Sequence, residues 1–93
     1  MIHIEPRHLE IVKNILKKYP YTFYVYGSRA RGDQKRLSDL DLATYDEIPW
    51  RDRGKIEEDF EESDLPYTVD LIDLNKISPN FFDSIKKDLV KIT

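Results

Sequence analysis

The sequence contains no cysteine. Disulfide staples, thiolate nucleophiles and cysteine-based zinc sites are excluded, and a reducing, cytoplasmic setting is the expectation. Long apolar runs are missing too. Nothing approaches the length of a membrane span, and Met1–Glu5 does not read as a signal peptide, so no membrane association is expected. Nor is there an excess of positive charge. Fifteen Lys and Arg face 18 Asp and Glu for a net charge of −3, which argues against nucleic-acid binding by a globally basic surface. Repeats, low-complexity tracts and linkers are absent. Ninety-three residues, 40% hydrophobic and 35% charged, are expected to form one domain over 1–93 with a modest core.

What is present alternates between two periodicities. Residues 6–18 read as an amphipathic helix, with Leu9, Val12, Leu16 and Tyr19 at helical spacing and Ile11 and Ile15 widening the stripe. Pro20 ends it. Residues 22–26 are aromatic and β-branched and read as a strand, which Gly27 breaks. Residues 40–45 read as a second strand. A second long helix runs from Pro49 to about Ser63, apolar on Trp50, Ile56 and Phe60. Residues 67–74 are a third strand. Ser78-Pro79 is a cap followed by a proline start, with Phe81, Phe82, Ile85 and Leu89 on one side. Leu89, Val90 and Ile92 either continue that helix or form a short edge strand. The interleaving makes this an α/β or α+β domain.

Two of the three glycines flank one segment, Gly27-Ser28-Arg29-Ala30-Arg31-Gly32. It follows a strand and can open a helical turn. Glycine allows a tight backbone and close ligand approach, while the free N–H groups of a helical turn suit phosphate. Ser28 adds a hydroxyl. An ordinary Gly-Ser turn is the plainer reading of these residues alone. Arg29, Arg31, Lys35 and Arg36 make a locally basic stretch opposed only by Asp33, able to neutralise a triphosphate or simply to be solvated.

Ser38-Asp39-Leu40-Asp41-Leu42 follows. Side chains alternate along a strand, so Asp39 and Asp41 share one face and the leucines take the other. Two carboxylates side by side are unfavourable without a cation between them. Hard oxygen ligands suit Mg²⁺ or Mn²⁺, and Mg²⁺ typically takes one or two carboxylates plus substrate phosphates. Singly, such a pair also reads as two hydrated acids. In the third strand Asp70 lies between Val69 and Leu71. It faces away from the core and can complete a three-carboxylate cluster. Asp73 has the opposite parity and lies at the strand end, where a turn role fits it.

A Gly-Ser turn, ten residues, an Asp-x-Asp and a later strand Asp together resemble the DNA-polymerase-β-like nucleotidyltransferase superfamily. The Gly-Ser-Arg-Ala-Arg-Gly form and the Val-Asp-Leu-Ile-Asp-Leu strand look like its minimal nucleotidyltransferase (MNT) group. The resemblance covers nearly the whole chain. It implies a small mixed sheet with helices packed on one face. It implies ATP as substrate, Gly27 and Ser28 on its β- and γ-phosphates, and two Mg²⁺ ions (or Mn²⁺) on Asp39, Asp41 and Asp70. Asp70 would help deprotonate the acceptor, and Arg29, Arg31 and Lys35 are candidates for phosphate charge.

Members of this group resemble the antitoxin half of HEPN–MNT toxin–antitoxin pairs. The resemblance therefore implies AMP transfer from ATP to a tyrosine of a HEPN-type ribonuclease toxin. Two alternatives stand beside it. One is a non-catalytic antitoxin acting by occlusion, and the other is a small-molecule nucleotidyltransferase whose acceptor is held by a separate subunit. His3 and His8 read as surface or helix-packing residues. The acidic run from Glu57 to Glu62 reads as a solvated helix face, and Trp50 as a partner contact.

Overall fold

The computed structural model describes residues 2–93, so Met1, the first residue of the opening segment, lies outside it. The elements in chain order are α1 (Pro6–Leu16), β1 (Tyr24–Tyr26), α2 (Ser28–Arg31), β2 (Leu40–Thr44), α3 (Trp50–Glu61), β3 (Val69–Asp73), α4 (Pro79–Ile85), a 3₁₀ turn (Lys86–Asp88) and β4 (Val90–Lys91). The sheet is ordered β3-β2-β1-β4. β2 and β3 run parallel, and β1 is antiparallel to both β2 and β4. Parallel β2 and β3 require a crossover, which α3 supplies. The result is the expected mixed α+β fold.

One face of the sheet carries the main core. Val12, Ile15 and Leu16 of α1 and Ile56 and Phe60 of α3 pack with Phe23, Val25, Leu40, Leu42, Leu71 and Ile92. Each such side chain taken fully out of water is worth about 1.5–3 kcal/mol. Two hydroxyl–carboxylate contacts lock the region around α1 to α3: Tyr19 donates to Asp59 and Tyr21 donates to Asp52, both at 2.5 Å.

The helices are less one-sided than expected. Ile85 of α4, with Phe82 beside it, forms a second cluster with Tyr26, Ala43, Ile72 and Leu74. By strand alternation those sheet residues lie opposite Val25, Leu42 and Leu71. α4 therefore covers part of the second face and leaves the rest open.

Several element ends differ from the sequence expectation for identifiable reasons. β1 starts at Tyr24 instead of residue 22 because side chains take the preceding amides. Thr22 N–H donates to Asp46 (2.7 Å) and Phe23 N–H to the Thr93 hydroxyl (3.0 Å). The C-terminus resolves as the edge strand: one 3₁₀ turn, then β4 against β1. Trp50 does not join the buried stripe of α3 but is 79% exposed. It sits six residues before Ile56, about a third of a turn away from that stripe at 3.6 residues per turn. Ser78 caps α4 as expected, its hydroxyl accepting from Phe81 N–H at 3.2 Å.

Gly54, inside α3, has nothing within 4 Å of where a Cβ would stand. Gly54→Ala is therefore expected to stabilise the protein by about 0.5–1 kcal/mol. Thermal unfolding checks this.

Candidate active site

The second face of the sheet has an order dictated by register. Asp41 is the Cα partner of Tyr26 on β1 and of Asp70 on β3. Asp70, Asp41 and Tyr26 thus form one row across three strands, with their side chains on the face opposite the main core. Leu40, Leu42 and Leu71 are buried beneath them. Asp39 stands one residue before β2 and is exposed. Ile72, Ala43 and Tyr24 form the next row, also fixed by register. α4 packs over Ala43 and Ile72, so the acids stand at the uncovered part of this face.

Tyr26 leads straight into Gly27. This glycine has φ 74° and ψ −153°, a conformation that essentially only glycine adopts. A Cβ here would stand 2.5 Å from Asp41 Oδ2. The turn backbone and the Asp41 carboxylate are thereby brought into direct contact. One turn of helix, Ser28–Arg31, follows and is closed by Gly32 in the left-handed region at φ 93°. Amides in a first helical turn have no partner within their own helix, so those of Ser28 and Arg29 are available to an anion.

The electrostatics of the row are those of crowded carboxylates. The Asp41 carboxyl is pushed above its ordinary value, first by burial and then by the charges of Asp70 and Asp39, with Arg31 opposing. The Tyr26 phenol is pushed up to about 12 by burial and then by Asp41 and Asp70. A divalent cation among the acids would relieve both, and an all-oxygen donor set fits Mg²⁺ or Mn²⁺. Asp41 is close enough to Asp70 and Asp39 for their charges to act on it. The three are not drawn into a finished coordination group, and among the described residues no three acidic or histidine side chains are.

The three basic candidates separate. Arg31 stays near the row. It bonds Asp33 at 3.2 Å and Asp88 at 3.4 Å, and its charge favours ionised Asp41. Lys35 lines a cavity of about 1000 Å³ together with His3, His8, Arg29 and Tyr67, and that lining includes none of the three acids. Arg29 stands where the sequence did not place it. It is only 5% exposed. Its guanidinium donates to the carbonyls of Ser38, His3 and Arg36 and lies 3.9 Å from the Tyr67 ring centroid. Four of its five N–H donors are committed to backbone oxygens, so it is corrected from phosphate ligand to internal bracket.

The remaining expectations fall simply. Asp73 forms a turn, its carboxylate accepting from Asn75 N–H at 2.8 Å. His8 packs edge-on to Tyr67, and the His3 ring lies against Gly32. Two contributors escaped sequence reading. Tyr26 shares the acids' face, and its parity against Val25 could have shown it. Asp88 holds Arg31 from 57 residues away, and nothing local signals it.

Residues 10–93 match the polymerase beta nucleotidyltransferase family. The chain is 42% identical over 95 aligned positions to the Haemophilus influenzae protein named "probable protein adenylyltransferase MntA", covering 98% of this chain and 83% of that protein. Among solved structures, it superposes on a chain of a toxin–antitoxin complex with AMP-PNP at a TM-score of 0.69 and 24% identity, covering 91% of this chain and 72% of that one. It also superposes on a candidate nucleotidyltransferase from Sulfolobus solfataricus at a TM-score of 0.51 and 26% identity, covering 91% and 78%.

Proposed function

The chain belongs to the polymerase beta nucleotidyltransferase family, and from that premise we propose that it is a protein adenylyltransferase antitoxin. It transfers AMP from ATP to a hydroxyl, a tyrosine, of a HEPN-type ribonuclease toxin and so neutralises that partner in the cytoplasm. The observation that carries the reading is the contact of the Gly27 turn with the Asp41 carboxylate. A glycine turn with free amides beside a carboxylate is the arrangement that phosphate binding next to the reacting phosphorus calls for, and this supports the reading. The 42% identity to a protein named as an adenylyltransferase supports the same choice. Among the described residues no helix is long and apolar enough to cross a membrane.

Gly27 and Ser28 hold the β- and γ-phosphates, and Arg31 adds positive charge at that end. Asp39, Asp41 and Asp70 would hold Mg²⁺, which would supply neutralisation of the charge that develops in an in-line displacement. Asp70, exposed at the end of the row, takes the proton of the acceptor hydroxyl. The new bond joins that oxygen to the α-phosphorus. The bond to the β-phosphate oxygen breaks, and pyrophosphate leaves with its electron pair. The open half of the face is where the acceptor enters.

Intact-mass spectrometry of the co-expressed toxin after incubation with this chain, ATP and Mg²⁺ tests the proposal. The expected result is a gain of one or more AMP units on the toxin. A stable complex with no mass gain would replace catalysis by occlusion. AMP on a small molecule with the toxin unmodified would point to the other alternative.

A further inference from the structure

Arg29 follows the phosphate-binding Ser28 directly, and Ser38 directly precedes the first acid, Asp39. Both Nε (3.0 Å) and Nη2 (2.9 Å) of Arg29 donate to the Ser38 carbonyl. Nη1 reaches the His3 carbonyl at 3.2 Å, and Nη2 also reaches that of Arg36 at 3.4 Å. The Tyr67 ring lies against the guanidinium, two residues before β3 and three before Asp70. One side chain thus bonds the lead-in to the Asp-x-Asp pair, while its contact with Tyr67 is packing. We infer that Arg29 is the positioning residue of this site, setting the Asp-x-Asp segment against the Gly27-Ser28 turn before any metal arrives. The inference rests on the functional reading above for what the acids do.

Two features of the loop make a bracket necessary. Between Gly32 and Asp39 only Gln34 and Ser38 are even half-buried, so the loop has no core of its own. Its internal bonds are local, Lys35 N–H to the Ser38 hydroxyl and Ser38 N–H to the Lys35 carbonyl. Left to these, Asp39 would be anchored from its C-terminal side alone, by Leu40, whose N–H donates to the Thr68 carbonyl at 2.9 Å. The choice of residue is also informative. Among the described residues no carboxylate pairs with Arg29, and a buried cation without one adds little net stability. A planar fork that fixes several carbonyls at once does add geometry, and lysine cannot copy it.

The test compares Arg29→Lys, Arg29→Gln and Tyr67→Leu with the wild type. Tyr67→Leu removes the stacked ring but keeps the bonds to Ser38, so it serves as the structural control. Mn²⁺ is titrated in the presence of AMP-PNP by water-proton relaxation, with Tm recorded for each protein. We expect both Arg29 variants to bind Mn²⁺ about 10–100-fold more weakly, the usual cost of losing a residue that orients metal ligands. Tyr67→Leu should lose Tm while keeping its Mn²⁺ affinity. Wild-type affinity in Arg29→Lys, or an equal loss in Tyr67→Leu, would overturn the inference.

Should the Arg29 variants not fold, backbone relaxation of the wild type decides. Residues 36–40 must show order parameters near those of rigid backbone, about 0.85, without metal. A loop that orders only on adding metal would overturn the inference. Mn²⁺ binding is read without a partner protein, so a wild type that binds metal but transfers no AMP fails the functional reading alone. A wild type that binds no Mn²⁺ also fails that reading, and the relaxation data then judge the positioning role.

Discussion

Asp41→Asn is expected to give a protein that melts higher than the wild type and transfers no measurable AMP. The two effects have one cause. Asp41 is half-buried, and its carboxyl is pushed up by that burial and by Asp70 and Asp39. Its ionised form is therefore held in the metal-free protein at a cost. Asparagine keeps the shape, removes the charge and relieves the repulsion. For a domain of this size each kcal/mol relieved raises Tm by about 4–8 °C.

The pH dependence has a definite sign. A carboxyl with a raised folded-state value holds its proton to higher pH in the folded protein than in the unfolded one. Its contribution to stability is thus best below the ordinary carboxylate value and falls as pH rises through the raised one. The advantage of Asp41→Asn should be small near pH 3.5 and larger at pH 7. Scanning both proteins at the two values without metal checks this, and an equal gain at both would refute the electrostatic cause. Mg²⁺ with AMP-PNP should then raise the wild-type Tm by mass action and leave the variant unmoved. Activity should drop by more than the roughly 10–100-fold typical of a residue that only orients metal ligands. Asp39→Ala should share the loss of transfer while leaving partner binding largely intact.

The sequence showed the fold wherever information was local and periodic. Leu40 and Leu42 alternate with Asp39 and Asp41, so the face of each follows from a period of two. Ser78-Pro79 announces α4 through its own capping chemistry. Reading failed where the decisive partner lay far away. Nothing near Thr22 says that Asp46 will take its amide and shorten β1. Arg29 was the hardest case. A cation beside a phosphate turn looks like a phosphate ligand, and only the three-dimensional path of His3, Arg36 and Ser38 around it shows that four of its five donors are already used. The pairing of Asp41 with Asp70 depends on β2 and β3 being neighbours, which the register establishes and the spacing could only suggest.

Gly27→Ala is the second large effect expected, and a mutant cycle can separate its two components. Alanine at φ 74°, ψ −153° carries a backbone strain on the order of 1–3 kcal/mol. Its Cβ would also stand 2.5 Å from Asp41 Oδ2, closer than nonbonded atoms tolerate. The carboxylate can swing away, since it is the far end of a side chain. It then leaves the Gly27 turn, and the contact between turn and acid is lost. Gly27→Ala should therefore lower Tm and nearly abolish AMP transfer in a protein that still folds. In an Asp41→Ala background the collision is gone and only the backbone strain remains. The Tm cost of Gly27→Ala should then be clearly smaller there than in the wild type, a coupling expected of residues in contact. Equal costs in the two backgrounds would mean that strain alone is at work and that the carboxylate does not press on the turn. In that case the contact between turn and acid, on which the catalytic reading stands, would lose its energetic support.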